Sequence, residues 1–388
     1  METPQIIKVL VLTSSRADFG IYLPLLNKLK QDISIGLKIV AFGTHLSKFH
    51  GYTIDQIYEA GFEVDYRISS LLTGDEPVDI ATSFSLTSLK FSDFWNSQKN
   101  NVDVALVLGD RFEMAAAVFA GIPFGINFAH LYGGETTLGA IDNIYRPAIS
   151  LASKLHFVSL EEFKVKLTSL FVSTDNECHI IGSLGLENLT NIKLLSVDEF
   201  YEKWKIDLSK DSVLITIHPE TVSSDNNKKF ANELFEALKF IGKNKQLIIT
   251  MPNADTSALL YRETFHELKL LLEDNIIMIE NFGVQSYFTC MKYSGLMIGN
   301  TSSGITEAAS FKKYVLNLGD RQKGRPTGSN VLSISFEHNE IINFSKKYFG
   351  KTYLGSNIYY KKSPSKKILE VLKKNFLKKN INEKSIKF

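Results

Sequence analysis

Cysteine is scarce in this chain: Cys178 and Cys290 are the only two among 388 residues, and they stand far apart. Neither has a second cysteine or a histidine at ligand spacing. That excludes a disulfide framework, a redox dithiol and a zinc-binding ribbon, and it leads to the expectation of a reducing, cytoplasmic setting with no metal site and no cofactor. Long apolar runs are also missing, and none approaches the ~20 residues of a membrane span. The opening Met1-Glu-Thr-Pro-Gln5 carries no basic segment, and the apolar stretch behind it is interrupted by Lys8. Neither a signal peptide nor membrane insertion is expected. No sign of charge dominates: 44 Lys and Arg stand against 42 Asp and Glu, for a net +2. Such a balance argues against a nucleic-acid partner. Two nucleotide-binding signatures are lacking as well. There is no G-x-x-x-x-G-K-[ST] loop anywhere, and no G-x-G-x-x-G after the first strand, which counts against NAD.

What is present is ordinary globular composition, 44% hydrophobic and 22% charged, in a chain too long for one comfortable core. Strand-length apolar runs alternate with helical periodicities. The first half predicts strands at Lys8–Thr13, Leu37–Gly43, Phe62–Tyr66, Val104–Leu108, Phe124–His130, His156–Ser159 and His179–Gly182. Helical patterns fall at Phe19–Lys30, with Pro24 placed in the first turn, and at Asp55–Gly61 and Ile80–Lys99. A further one at Ile141–Leu155 must restart or lose a bond at Pro147. After a connection at Gly182–Leu208 the pattern begins again. Strands are predicted at Ser212–His218, Leu247–Met251, Ile276–Glu280, Gly295–Gly299 and Tyr314–Leu318, and helices at Phe230–Ile241, Leu259–Leu272, Gln285–Tyr293 and Ile305–Phe311. Without hairpin signals, this alternation predicts α/β architecture: two Rossmann-like, doubly wound domains at 1–185 and 186–362. The lysine-rich tail, 363–388, reads as an amphipathic helix with a solvated basic face.

In open α/β sheets, ligands sit beyond the carboxyl ends of the strands. The run Val104–Leu108 enters Gly109-Asp110-Arg111 and then a helix start. The arginine can meet an anion while the aspartate handles a proton; an N-capping aspartate beside a surface arginine would look the same. The next strand ends at His130 and is followed by Tyr132-Gly-Gly-Glu135, Asp142 and Arg146. Two adjacent strand ends thus deliver Asp110, Arg111, His130, Glu135, Asp142 and Arg146 to one edge. In the second half, His218 ends a strand before a proline, and Asn253 follows Pro252 at the equivalent place on the next. Asn300-Thr-Ser-Ser-Gly304 precedes a helix. Small residues, hydroxyls and free N–H groups there suit an anion, although a capped tight turn has the same composition. Arg321 and Arg325 follow the next strand and suit bidentate phosphate contacts. The coincidence favours a phosphate-bearing small molecule.

Taken together, these motifs resemble the hydrolysing UDP-N-acetylglucosamine 2-epimerases, which supply N-acetylmannosamine for sialic acid synthesis. The resemblance runs from Thr13 to about Asn330. It is carried by Ser15-Arg-Ala-Asp18, Gly43-Thr-His-Leu46, Leu108-Gly-Asp-Arg-Phe-Glu113, Gly133-Gly-Glu-Thr-Thr-Leu-Gly-Ala-Ile-Asp142, Ile217-His-Pro-Glu220, Pro252-Asn-Ala-Asp255, Gly299-Asn-Thr-Ser-Ser-Gly304 and Asn317-Leu-Gly-Asp-Arg-Gln-Lys-Gly-Arg325. Each is weak alone; eight in the right order are strong. The non-hydrolysing epimerases carry Gly-Asp-Thr and Glu-Ala-Gly where this chain has Gly-Asp-Arg and Gly-Gly-Glu.

The resemblance implies a glycosyltransferase-B fold, two Rossmann-like domains facing a cleft, with the C-terminal helix crossing back to the first domain, and a homodimer or homotetramer. It implies anti elimination of UDP through 2-acetamidoglucal, followed by hydration to N-acetylmannosamine. Asp110 and Asp142 match the acid/base carboxylates, with Arg111 and Arg146 holding charge beside them. Arg16, His218, Ser302, Ser303 and Arg321 match positions around the diphosphate, and Asn253 and Glu307 the nucleotide pocket, Glu307 toward the ribose hydroxyls. Two departures stand near the sugar. Tyr132 replaces a glutamate that some members use as a catalytic acid/base, so the phenol, Glu135 or His130 would take any such role. Arg146 is followed by Pro147 rather than histidine. Both bear on the sugar, and the same reaction on UDP-2,4-diacetamido-2,4,6-trideoxyglucose is the alternative substrate reading. A glycosyltransferase of the same fold, or a catalytically dead UDP-sugar binder, is the alternative in class.

Overall fold

The computed structural model describes residues 6–49, 51–74, 77–136, 142–171, 176–220, 226–252, 258–280 and 282–377. The chain divides into two compact units. The first takes in Met1–Glu135, Ile141–Thr190 and, from the far end of the chain, Lys361–Phe388; the second is built from Asn191–Tyr360. Among the described residues no helix is long and apolar enough to cross a membrane.

The first unit holds a seven-stranded sheet in the order β3-β2-β1-β4-β5-β6-β7. Its strands are β1 (Ile7–Thr13), β2 (Ile35–Phe42), β3 (Tyr66–Ile68), β4 (Val104–Leu108), β5 (Phe128–Leu131), β6 (Leu155–Val158) and β7 (Glu177–Ile180). Every pairing is parallel, as at Val9 with Val104 and at Leu108 with Leu131. Its helices are α1 (Arg16–Gln31), α2 (Asp55–Glu59), α3 (Pro77–Gln98), α4 (Phe112–Gly121), α5 (Asp142–Leu151), α6 (Glu161–Thr168) and α7 (Gly185–Asn191). Side chains alternate across a strand, so β1 feeds two cores. Val9 and Val11 join Leu25, Leu26 and Leu29 of α1. Leu10 and Leu12 join Phe91 and Trp95 of α3 and Met114 and Val118 of α4. Burial on both faces is why these strands read as unbroken apolar runs.

The second unit repeats the scheme with six parallel strands in the order β10-β9-β8-β11-β12-β13. They are β8 (Ser212–Thr216), β9 (Gln246–Thr250), β10 (Ile276–Ile279), β11 (Leu296–Gly299), β12 (Val315–Leu318) and β13 (Val331–Ile334). The helices are α8 (Val197–Trp204), α9 (Asn227–Ile241), α10 (Ala258–Leu272), α11 (Gly283–Tyr293), α12 (Ser302–Thr306) and α13 (His338–Tyr348), and α14 (Pro364–Phe376) returns to the first unit. Strand order reverses between β1 and β4 and between β8 and β11. Both reversals are topological switch points, where loops leave the sheet in opposite directions and open a crevice.

Several boundaries differ from the sequence expectation. Helix α1 starts at Arg16, capped by Ser15, so Pro24 lies buried inside the helix rather than in its first turn. The third strand is Tyr66–Ile68; Phe62 instead plugs the core, edge-on to Phe19 at 6.2 Å. β5 begins at Phe128, because Ile122–Phe124 forms a 3-10 turn closed by left-handed Gly125. Helix α5 runs through Pro147 and stops at Leu151. The connection contains α7 and α8, the latter opened by a capping box between Ser196 and Glu199. The helix expected at Ile305–Phe311 is the five-residue α12 followed by a 3-10 turn at Ala308–Phe311. The strand β13 and helix α13 were not anticipated.

Helix α14 buries Ile368, Leu369, Val371 and Leu372 in the first unit's core, a stripe at helical spacing, while Lys366, Lys367 and Lys374 stay exposed. Its entry is fixed by Ser365, whose N–H and hydroxyl donate to the two carboxylate oxygens of Glu187 at 2.9 and 2.8 Å. Lys373 reaches Asp32 at 2.5 Å. Leu372→Ala should therefore lower stability by about 2–5 kcal/mol, and Lys374→Ala by less than about 0.5 kcal/mol. Urea unfolding followed by circular dichroism measures both; equal effects would mean that α14 is not part of the core.

Candidate functional site

In the first unit the carboxyl edge of the sheet is stitched together before any ligand arrives. At the end of β1, the Ser14 N–H and hydroxyl both donate to Asp18 Oδ2, at 3.0 and 2.7 Å. Thr44, just past β2, donates its N–H and hydroxyl to Ser14 O at 2.9 and 3.0 Å. Gly43 makes this approach possible, with φ of +58° and room for no side chain: a Cβ would lie 2.7 Å from Ser14 O. Arg16 stands exposed on the first turn of α1 above this knot.

At the end of β4 the turn passes through Gly109, at φ of +77°. The N-cap of α4 is Arg111, which makes no side-chain cap bond. Asp110 is therefore not a capping residue. Its carboxylate takes the Nη2 of Arg146, whose Nη1 donates to Tyr132 O at 2.8 Å. The Arg146 side chain is 7% exposed and that of Asp110 20%. One guanidinium from α5 thus holds the loops after β4 and β5 in a fixed relation. Arg111 pairs with Glu113 Oε1 at 2.8 Å, the arginine side chain 41% exposed and the carboxylate wholly buried. Glu135 is half-buried and accepts the Ser159 hydroxyl from the end of β6 at 2.8 Å. Asp142 opens α5, but its side chain lies outside the described residues.

His130 and Tyr132, expected among the acid/base candidates, are both buried and hydrogen-bonded within the fold. The His130 ring is wholly buried, and burial pushes its imidazole down to about 3. A neutral ring carries one N–H. Gly109 O, 2.8 Å from Nε2, can only accept, so Nε2 bears the proton and Nδ1 accepts from Ser150 at 2.9 Å. Tyr132 sits at φ of +66°, in the left-handed region. Its N–H donates to Phe157 O at 2.8 Å, and its phenol oxygen accepts the Leu184 N–H at 2.7 Å. Burial raises the phenol's affinity for its proton well above the usual tyrosine range. Tyr132 belongs to the buried core that also holds Leu131, Phe157, Ile181 and Leu184.

In the second unit, the loops after β8, β11 and β12 come together. His218 is nearly buried, and its backbone is held at both ends by the Asn300 side chain. Arg321 Nη1 donates to Asn300 O at 3.2 Å. Glu220 accepts the Asp320 N–H at 2.7 Å, tying the β8 loop to the β12 loop. Thr301 caps α12, accepting the Ser303 N–H at 3.4 Å, with Ser302 exposed and Ser303 half-buried on its first turn. The helix is too short for a full macrodipole, so an anion here would rely on local N–H and hydroxyl donors and on the arginines. Glu307 keeps partial solvent contact, yet burial pushes its carboxyl up to about 8, opposed by the charge of Arg325. Asn253 lies outside the described residues.

Glu113, Ser150, Ser159, Glu220 and Asn300 do the positioning, and the sequence reading gave none of them a role. Glu113, Glu220 and Asn300 each stand within the quoted strand-end motifs; Ser150 and Ser159 carry no local signal, since only the sheet order brings them to His130 and Glu135.

Comparison with known proteins places this geometry. The family described as UDP-N-acetylglucosamine 2-epimerase matches residues 27–373. The chain is 35% identical over 346 residues to the GDP/UDP-N,N'-diacetylbacillosamine 2-epimerase (hydrolyzing) of Campylobacter jejuni, covering 89% of this chain and 88% of that one. It is 32% identical to polysialic acid biosynthesis protein P7 of Escherichia coli, covering 96% and 95%. Among solved structures, the UDP-GlcNAc 2-epimerase of Neisseria meningitidis bound to UDP-GlcNAc superposes with a TM-score of 0.75 at 20% identity, over 95% of this chain and all of that one. The α/β fold is thus of the glycosyltransferase-B class, and the chain belongs to the UDP-N-acetylglucosamine 2-epimerase family.

Proposed function

We propose that this protein is a hydrolysing 2-epimerase that converts UDP-N-acetylglucosamine and water to N-acetylmannosamine and UDP. The observation that supports this most is the arrangement at the end of β4, where Asp110 is held by a nearly buried arginine and stays partly open to solvent. A carboxylate so fixed is suited to removing a weakly acidic proton at C2. That proton leaves only if the departing UDP is strongly stabilised. In this reading Arg16, His218, Ser302, Ser303 and Arg321 take the diphosphate, and Asn253 and Glu307 the nucleoside. The C2 proton and the C1 oxygen part in opposite directions to give 2-acetamidoglucal. Water adds at C1, and a carboxylic acid returns a proton to C2 from the other face. Asp110 and Asp142 are the acid/base pair, with Arg111 and Arg146 balancing their charge. With His130 and Tyr132 committed to the fold, Glu135 is the remaining group able to carry a proton beside them.

A second substrate reading is favoured by the name of the Campylobacter relative: the same elimination and hydration on UDP-2,4-diacetamido-2,4,6-trideoxyglucose. Proton NMR of the protein with each UDP-sugar in heavy water separates the two. The expected products from UDP-N-acetylglucosamine are UDP and free N-acetylmannosamine deuterated at C2. Turnover of the diacetamido sugar alone would move the assignment to that substrate. UDP-N-acetylmannosamine as product would identify a non-hydrolysing enzyme, and silence with both would leave a glycosyltransferase or a binder.

Asp110→Asn keeps an oxygen for Arg146 but cannot take a proton, so kcat should fall about 10²–10⁴-fold while UDP affinity stays near that of the wild type. An unchanged kcat would remove Asp110 from the mechanism. Glu307 supplies a pH dependence. Its carboxyl is protonated below about 8 and only its ionised form is a full acceptor for two ribose hydroxyls. UDP affinity should therefore rise as pH passes from 7 to 9, above the last phosphate ionisation at about 6, and Glu307→Gln should flatten the profile. Calorimetric titration at three pH values checks this; a flat wild-type profile would separate Glu307 from the ribose.

A further inference from the structure

We infer that Asn300 is a positioning residue that sets the diphosphate-binding groups of the second unit, a step that rests on the UDP-binding reading above. The backbone ladder between β8 and β11 ends at Thr216 and Gly299, with a last bond from the Asn300 N–H to Thr216 O at 3.1 Å. Beyond it the two chains separate into different loops. The side chain of Asn300 continues the ladder by one further rung. Its Oδ1 accepts the His218 N–H and its Nδ2 donates to the His218 carbonyl, both at 2.8 Å. Asn300 is wholly buried, so its amide has these two groups as partners in place of water.

The backbone of the same residue serves the third loop. Its carbonyl accepts Arg321 Nη1 at 3.2 Å and Gln322 Nε2 at 2.9 Å. One residue therefore fixes the backbone of His218 by its amide and one edge of the Arg321 guanidinium by its carbonyl. The contact is close: a Cβ on the preceding Gly299 would lie 2.1 Å from Thr216 O. Few side chains can replace Asn300. Aspartate offers no donor to the His218 carbonyl, serine makes one bond at most, and glutamine is a methylene too long for this gap. Asn300 opens the Asn-Thr-Ser-Ser turn, but it reaches the ligand through His218 and Arg321, not by direct contact.

The test is calorimetric titration with UDP, alongside competition by uridine, which lacks phosphates. In Asn300→Ser and in the isosteric Asn300→Asp, UDP affinity should fall at least about tenfold, equivalent to about 1.4 kcal/mol, while uridine affinity stays within about twofold. In a His218→Ala background the Asn300→Ser loss should shrink below about threefold, because the amide acts on the ligand through His218 and coupled positions are non-additive. Equal losses for UDP and uridine, strictly additive losses, or unaltered UDP affinity would each overturn the inference. If Asn300→Ser does not fold, Asn300→Asp, which retains size and the bond from the His218 N–H, decides it. A wild-type protein that binds no UDP would overturn the UDP-binding reading itself, whereas wild-type binding with insensitive variants overturns only the role of Asn300.

Discussion

The buried guanidinium of Arg146 is the contact on which the first unit's edge depends. Parallel strands end with their loops free, and each loop could settle independently. A single planar group with donors on both sides prevents that by taking the Asp110 carboxylate on one and the Tyr132 carbonyl on the other. The arrangement is asymmetric in energy. A nearly buried cation left without its carboxylate costs about 3–5 kcal/mol, far more than the pair gains over an apolar substitute. The loops are thereby held at a defined separation rather than merely near each other. Pro147 follows directly, inside α5. A proline there removes one helical N–H but leaves the position of Arg146 on the helix unchanged, which explains how the chain tolerates it one residue from so constrained a side chain.

The second unit solves the same problem chiefly with a neutral amide. Asn300 holds backbone to backbone between β8 and β11 without a counter-ion. The difference fits the chemistry proposed for each edge. Where a dianionic diphosphate is to be received, a buried carboxylate–arginine clamp would spend positive charge that the ligand needs. Where a proton is to be moved, a charged clamp keeps its carboxylate in a fixed place. Glu220 is the exception that shows the limit: its carboxylate faces a backbone N–H and lies against Gly319, where a Cβ would come within 2.3 Å of Oε1.

The repeated α/β pattern was legible because the strands are buried on both faces, so Val104–Leu108 and Ser212–Thr216 appear as unbroken apolar runs bounded by polar turns. Elements with weaker signals were lost or shifted. Tyr66–Ile68 and Val331–Ile334 lie at the edges of their sheets, with one neighbour each, and their residues are partly exposed, so no continuous run marks them. Pro24 points to the first turn of its helix because proline lacks an N–H to donate, yet Ser15 caps the helix upstream at the Asp18 N–H and the apolar face carries it through Pro24. The candidate residues were found as strand-end types, but their partners were not. Ser150 and Ser159 meet His130 and Glu135 only because α5 and β6 follow β5 in space, a relation that residue spacing does not record.

The fate of Tyr132 is where sequence and structure diverge most usefully. A phenol standing where some family members place a catalytic glutamate suggests a substituted acid. The backbone answers otherwise. A left-handed φ turns the side chain away from the strand-end loop and into the core, and the Leu184 N–H closes on the phenol oxygen. Burial then favours the neutral phenol, which at ordinary pH can neither take a proton as phenolate nor reach one. His130 is eliminated by the same logic with opposite sign, since burial there disfavours the cation and both nitrogens are occupied. In the proposed reaction, proton transfer at this edge is therefore assigned to carboxylates. The half-buried Glu135, three residues beyond the left-handed Tyr132 and accepting one hydroxyl from Ser159, keeps the solvent contact that these buried neighbours lack.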